Sequence, residues 1–295
     1  MASIHSEQQT QARSVFDDIC QRKGLVLPEG YFDILYQTAE WLALQTEKKQ
    51  RITFGVSGSQ GSGKSTFSML LENILKATFS TPAIVLSLDD FYLTHSERIT
   101  LSELSPMLKT RGVPGTHDLA LAMSAKDQFL HGDLMRIPEF SKSEDDRVGY
   151  SDVSANEFTL LIFEGWCWGA KPVPKDSLNP PKNDLEREAD PKGIWRQYVN
   201  ERLFDYQSLF ATDFSLFLKV PDFACVARWR WQQEQGLPDG PGRMTKAEVE
   251  RFIMYYERIT QQLLRDFGSE ANICLALGQD HSIQLEKFPA PFSAL

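Results

Sequence analysis

The chain carries little that would staple it, embed it or coat it with positive charge. Its four cysteines, Cys20, Cys167, Cys225 and Cys274, are dispersed with no Cys-x-x-Cys pair, so neither a disulfide framework nor a zinc site is indicated. No apolar stretch approaches the length of a membrane span, and residues 1–13 are polar, without the apolar core of a signal peptide. A cytoplasmic protein with no membrane partner is expected. Cations are also scarce: 31 Lys and Arg stand against 40 Asp and Glu, a net charge of −9. An extended nucleic-acid surface, which depends on Lys and Arg, is therefore not expected, although a local basic pocket stays compatible. Internal repeats are absent, as are the Asn-Lys-x-Asp element of guanine-specific switches and the Leu-Ser-Gly-Gly signature of transporter ATPases. What remains is 295 residues, 42% of them hydrophobic, enough for one large core. Such a chain is expected to be a monomer or a small homo-oligomer.

Against these absences stands one strong motif. Gly58-Ser59-Gln60-Gly61-Ser62-Gly63-Lys64-Ser65 fits Gly-x-x-x-x-Gly-Lys-Ser/Thr, a loop whose backbone N–H groups surround nucleotide phosphates. Ile52 to Ser57 before it reads as a buried strand, and Phe67, Leu70, Leu71, Ile74 and Leu75 after it recur at helical spacing. The motif requires that strand–loop–helix order. Lys64 is assigned to the β- and γ-phosphates, Ser65 to Mg²⁺, and the adjoining Thr66 to the first turn of the helix whose positive end faces the anion. ATP and Mg²⁺ are the expected ligands.

Five apolar runs, 52–57, 83–88, 158–163, 214–218 and 273–277, are separated by long segments with helical patterning. Near-continuous apolar strands of this kind predict an α/β fold, a parallel sheet with helices on both faces. Residues 14–48, with Phe32, Leu35, Ala39 and Leu42 at helical spacing, predict a helical extension packed on that domain. The expected organisation is an extension over 1–50 and a core over 51–295 with a lid at about 222–245. Residues 171–193, rich in Pro and charge, read as a surface loop.

Ligands in open α/β sheets bind beyond the carboxyl ends of the strands. Asp89-Asp90-Phe91-Tyr92 follows the second strand and Glu164-Gly165-Trp166 the third. Carboxylates there would converge with Lys64 and Ser65, where a metal and an attacking hydroxyl must be placed; one of Asp89 and Asp90 could instead be a helix cap. Between them, Arg111-Gly112-Val113-Pro114-Gly115-Thr116-His117-Asp118 is dense in turn and hydrogen-bonding groups, suited to a substrate, while His117-Asp118 also reads as a helix start. The segment from Arg228-Trp229-Arg230 to Gly242 reads either as a solvated helix with a loop or as a closing lid whose arginines neutralise phosphoryl charge.

Taken together, 58–65, Ser87-Leu88-Asp89-Asp90-Phe91-Tyr92, the 111–118 loop, Phe163-Glu164-Gly165-Trp166, Trp229-Arg230, Gly242-Arg243-Met244-Thr245 and Glu248-Val249 resemble the D-glycerate 3-kinase family over about 50–265. That family is related to uridine kinase, phosphoribulokinase and pantothenate kinase. The resemblance implies a P-loop kinase with a five-stranded parallel sheet, using ATP and Mg²⁺ on a small hydroxy acid. It gives Asp89 the place of the base and Asp90 a position where relatives vary. Arg111, His117 and Asp118 match the family's substrate-side loop and Arg230 the arginine of its lid; from the residues themselves, Asp90 and Tyr92 are also expected on the substrate side and Glu164 with Ser65 at the metal. The chain departs from plant members at Cys167-Trp168-Gly169 and in 171–193. A kinase for a nucleoside or pantothenate-like alcohol, with Trp166, Trp168 and Tyr92 forming an aromatic slot, and a non-catalytic ATP-binding switch are the competing readings.

Overall fold

A computed structural model describes residues 2–236 and 243–290. Two helices, α1 (Ala2–Lys23) and α2 (Tyr31–Lys48), lead into β1 (Ile52–Gly58), α3 (Lys64–Phe79) and β2 (Ala83–Ser87). Next come α4 (His95–Leu101), α5 (Leu119–His131), β3 (Leu134–Ser141), β4 (Asp146–Ser154) and β5 (Leu160–Gly165). The chain continues through α6 (Asp184–Ala189), α7 (Ile194–Phe210), β6 (Phe214–Lys219), α8 (Phe223–Gln235) and α9 (Lys246–Ile253), then α10 (Glu257–Glu270), β7 (Ile273–Leu277) and β8 (Ile283–Lys287).

The main sheet has the order β2-β5-β1-β6-β7-β8. All of its pairings are parallel except β7 with β8. The five apolar runs are its five parallel strands. Period-two alternation with both faces covered makes them continuously apolar. Leu160 and Ile162 of β5 join a core with α2 and α3, whereas Leu161 and Phe163 join a second core with α5, α7 and α10. β1, at the centre, is buried along its whole length. Gly55 on β1 is a close-approach position, since a Cβ there would lie 2.0 Å from the indole nitrogen of the fully buried Trp168.

Three expectations need correction. Among the described residues the sheet has six strands rather than five, because the alternating Ile283-Gln284-Leu285-Glu286-Lys287 adds an antiparallel edge with only Ile283 buried. A separate antiparallel pair, β3 and β4, comes from a segment whose Pro138 and charged residues hide its alternation. Residues 171–193 are also more than a surface loop. They contain α6 and bury Leu178, Leu185, Glu186 and Asp190, the last two stabilised by ion pairs with Arg258 and Arg196. In the leading segment, helix begins before residue 14: α1 buries Ala12, Phe16 and Ile19, and α2 buries Phe32, Leu35, Ala39 and Leu42, in the same core as α3.

Candidate active site

Strand register brings the polar strand ends together. Glu164, near the end of β5, lies beside Val56 of β1 on one side and Ser87 of β2 on the other. Its carboxylate accepts a hydrogen bond of 2.7 Å from the Ser65 hydroxyl and lies 3.8 Å from the Lys64 ammonium. Glu164 is buried, yet its Oε2 accepts no hydrogen bond among the described residues; the hydroxyls of Ser57, Ser59 and Ser62 and the amide oxygen of Gln60 are likewise buried without partners. So dense a set of unsatisfied buried polar atoms is rare in a folded protein and calls for a polar guest. The set fits a phosphate chain with a hard cation, which takes oxygen ligands and usually only one or two protein carboxylates. Gly61 adopts a left-handed φ of 79°, and a Cβ on it would lie 2.7 Å from Cβ of Trp229. Helix α8 therefore rests directly on the loop, with Arg230 beside Gly61. Gly58, Gly63 and Thr66 occupy the strand end, the turn and the first turn of α3 as the motif requires.

Beyond β2, Asp89 and Asp90 lie in the short 3-10 turn Leu88–Phe91, which Ser87 caps, so neither aspartate is the cap. Asp89 receives the Tyr92 hydroxyl at 2.6 Å and the Lys142 ammonium at 2.8 Å. Burial alone would raise its carboxyl, but the charges of Lys142 and Lys64 and these hydrogen bonds hold it down to about 2. Asp90 is pushed up to about 6 by burial and by the neighbouring Asp89 charge. The two adjacent carboxylates thus titrate in different ranges, and only at mildly acidic pH is Asp90 protonated while Asp89 stays ionised.

Lys142 reaches Asp89 from the turn between β3 and β4. That turn is fixed by Asp145, at φ 55°, which pairs with Arg98, Arg111 and His95. Sequence reasoning missed Lys142 because a residue in a polar turn carries no local sign of a partner 53 positions away, and the flanking strands show little alternation to mark the turn. Arg111 belongs to the same assembly, holding Asp145 with one arm while its second nitrogen makes only a 3.4 Å contact to the Lys142 carbonyl.

The other singled-out residues are engaged with neighbouring groups of the protein. His117 is buried, stacked on Tyr92 with centroids 4.7 Å apart, and its Nδ1 meets the Tyr206 hydroxyl at 2.7 Å. Burial lowers it to about 4. Asp118 caps α5 through the Leu121 N–H and pairs with Arg147 at 3.2 Å. Trp166 and Trp168 are core residues, 3% and 0% exposed, and form no open aromatic slot. Arg230 pairs with the buried Glu234 at 2.7 Å within α8. The 237–242 part of the expected lid lies outside the described residues.

No protein-family model matches the chain. Its sequence is 32% identical over 217 residues to the "uncharacterized kinase mug58" of Schizosaccharomyces pombe, covering 68% of this chain and 77% of that protein. It is 31% identical over 221 residues to the chloroplastic D-glycerate 3-kinase of Arabidopsis thaliana, covering 70% of this chain and 46% of that protein. The chain belongs to the D-glycerate 3-kinase-like family of P-loop kinases. A solved D-glycerate 3-kinase from Cryptococcus neoformans var. grubii has this fold at a TM-score of 0.72 and 26% identity, covering 86% of this chain and 99% of that one. The fold of this kinase is thus the one that the family shares.

Proposed function

We propose that this kinase transfers the γ-phosphoryl group of ATP to a hydroxyl of D-glycerate, giving 3-phosphoglycerate. The observation that carries the reading is the cluster of Lys64, Ser65 and Glu164 facing Asp89, which Tyr92 and Lys142 hold ionised. Lys64 and the loop N–H groups would hold the β- and γ-phosphates, with Ser65 and Glu164 holding Mg²⁺. When bound, Mg²⁺ neutralises charge on the phosphate oxygens.

Asp89 orients the acceptor hydroxyl and takes its proton. A carboxyl near 2 suits that task, because a loose phosphoryl-transfer transition state needs little prior deprotonation. The free donors of Arg111 suit the acceptor's carboxylate, and Arg230 in α8 would stabilise charge on the transferring group. Substrate-binding roles for Asp90, His117 and Asp118 belong to the same proposal, His117 and Asp118 acting by shaping the wall behind Tyr92 and Arg147. A small polyhydroxy acid is favoured over a nucleoside because Trp166 and Trp168 are sealed in the core.

A coupled ADP-release assay with D-glycerate, L-glycerate, uridine, pantothenate and ribulose 5-phosphate at matched concentrations tests the acceptor. D-Glycerate is expected to give the highest kcat/KM. A preference for uridine or pantothenate would replace the acceptor, and ATP turnover indifferent to all five would restore the switch reading.

A further inference from the structure

A cavity of about 200 Å³ lies between α7, α10 and the 171–193 segment, and no residue of the phosphate loop or of the Asp89–Asp90 turn lines it. Its walls include the cations Lys171, Lys182, Arg196, Arg258 and Arg265 but, among the described residues, no Asp or Glu, in a chain whose net charge is −9. Four of these cations pair with carboxylates that stand outside the lining: Arg196 with Asp190, Arg258 with Glu186, Lys171 with Glu270 and Arg265 with Asp266. Lys182 has no ion pair among the described residues. Trp195, Val199 and Ile259 supply an apolar surface, and the indole N–H of Trp195, a residue 2% exposed, has no acceptor among the described residues. Buried polar groups normally find partners, so this N–H is a second, independent sign of a missing acceptor. A space of about 200 Å³ suits a small metabolite rather than a nucleotide.

We propose that this cavity is a second ligand site that binds a small organic anion, a carboxylate or phosphate carried on an apolar body. The cations and the Trp195 N–H address the anionic group, while Val199 and Ile259 cover the body. Occupancy is relayed to the acceptor side. Tyr255 lines the cavity and meets Trp195 edge-on at 5.7 Å, and the next residue, Tyr256, packs on Trp166 at 4.9 Å and donates its hydroxyl to the Arg111 carbonyl at 3.3 Å. This relay rests on the reading of Arg111 as an acceptor contact; the binding site itself does not.

The test is a ligand-observed ¹⁹F NMR titration of the full chain with 4-fluorophenyl phosphate and, separately, 4-fluorobenzoate, with 4-fluorobenzyl alcohol as the uncharged control. At least one anion is expected to saturate. Its binding should weaken about tenfold or more in the surface charge-reversal variant Lys182→Glu/Arg265→Glu, vanish in the cavity-filling Val199→Trp, and persist in Lys64→Ala. Which anion binds decides between a carboxylate and a phosphate head. No saturation by either anion at millimolar concentration overturns the site. So does binding that is lost in Lys64→Ala but unchanged by the charge reversal, since the phosphate loop would then be the receptor. Equal binding of the alcohol overturns the anionic class. If the bound anion leaves the KM for the acceptor unchanged, the relay is overturned. NMR binding in a protein that fails to phosphorylate D-glycerate overturns the acceptor assignment and supports the site.

Discussion

Under the proposed function, the nucleotide side and the acceptor side of the site meet at Asp89, and the two are built on opposite terms. On the nucleotide side, hydroxyls of Ser57, Ser59 and Ser62 and one oxygen of Glu164 are buried without hydrogen-bond partners among the described residues. Folding leaves them unsatisfied, at a cost that binding of phosphate and metal would recover. On the acceptor side the charged groups already pair with one another: Lys142 with Asp89, Arg111 and Arg98 with Asp145, and Arg147 with Asp118. One half holds buried polar atoms without hydrogen-bond partners, whereas in the other the charged groups already have internal partners. Mutations should therefore act through binding and charge on the first half, and through orientation and pH on the second.

Lys64→Ala makes the sharpest break. No other loop cation can replace its charge at the phosphates, so turnover should fall by about a thousandfold or more; near wild-type ADP release would remove the nucleotide side from the comparison. Asp89→Asn should retain nucleotide binding, measured as a rise in Tm with ATP and Mg²⁺, while kcat falls by about 10²–10⁴-fold. If Asp90→Asn proves the damaging change instead, the roles of the two aspartates are reversed.

Lys142→Ala probes the internal pairing directly. It should lower acceptor kcat/KM by about tenfold with little effect on the KM for ATP, and, because Lys142 helps hold Asp89 down, the acidic limb of the pH profile should move upward. An unshifted limb would mean that Lys142 only decorates the surface.

The smallest effects are on stability. The Asp90 carboxyl is raised from 3.8 to about 6, so its ionisation costs the folded state more than the unfolded chain. Asp90→Asn should then gain stability over wild type as pH rises through about 6 and gain nothing below 3.8, as read by denaturant melts. His117 is lowered from 6.5 to about 4, so its contribution is complete above 6.5 and lost as pH falls toward about 4. His117→Gln should flatten that decline; an unchanged pH–stability curve would place the acid sensitivity elsewhere.

The sequence by itself determined the phosphate loop, the five parallel strands and the places of Asp89, Asp90 and Glu164, because each is written locally. The loop's spacing is contiguous, strands buried on both faces are continuously apolar, and a residue following a parallel strand lies at the ligand-binding edge wherever that strand falls in the sheet. Tertiary structure alone decided the order of the strands, the hairpin that delivers Lys142 to Asp89, the burial of His117, Trp166 and Trp168, and the packing of 171–193 into one wall of a cationic cavity. Those features depend on partners far apart in the chain. Whether a carboxylate titrates near 2 or near 6 is set by the charges and burial around it, which adjacent Asp89 and Asp90 do not share although their local sequence is the same.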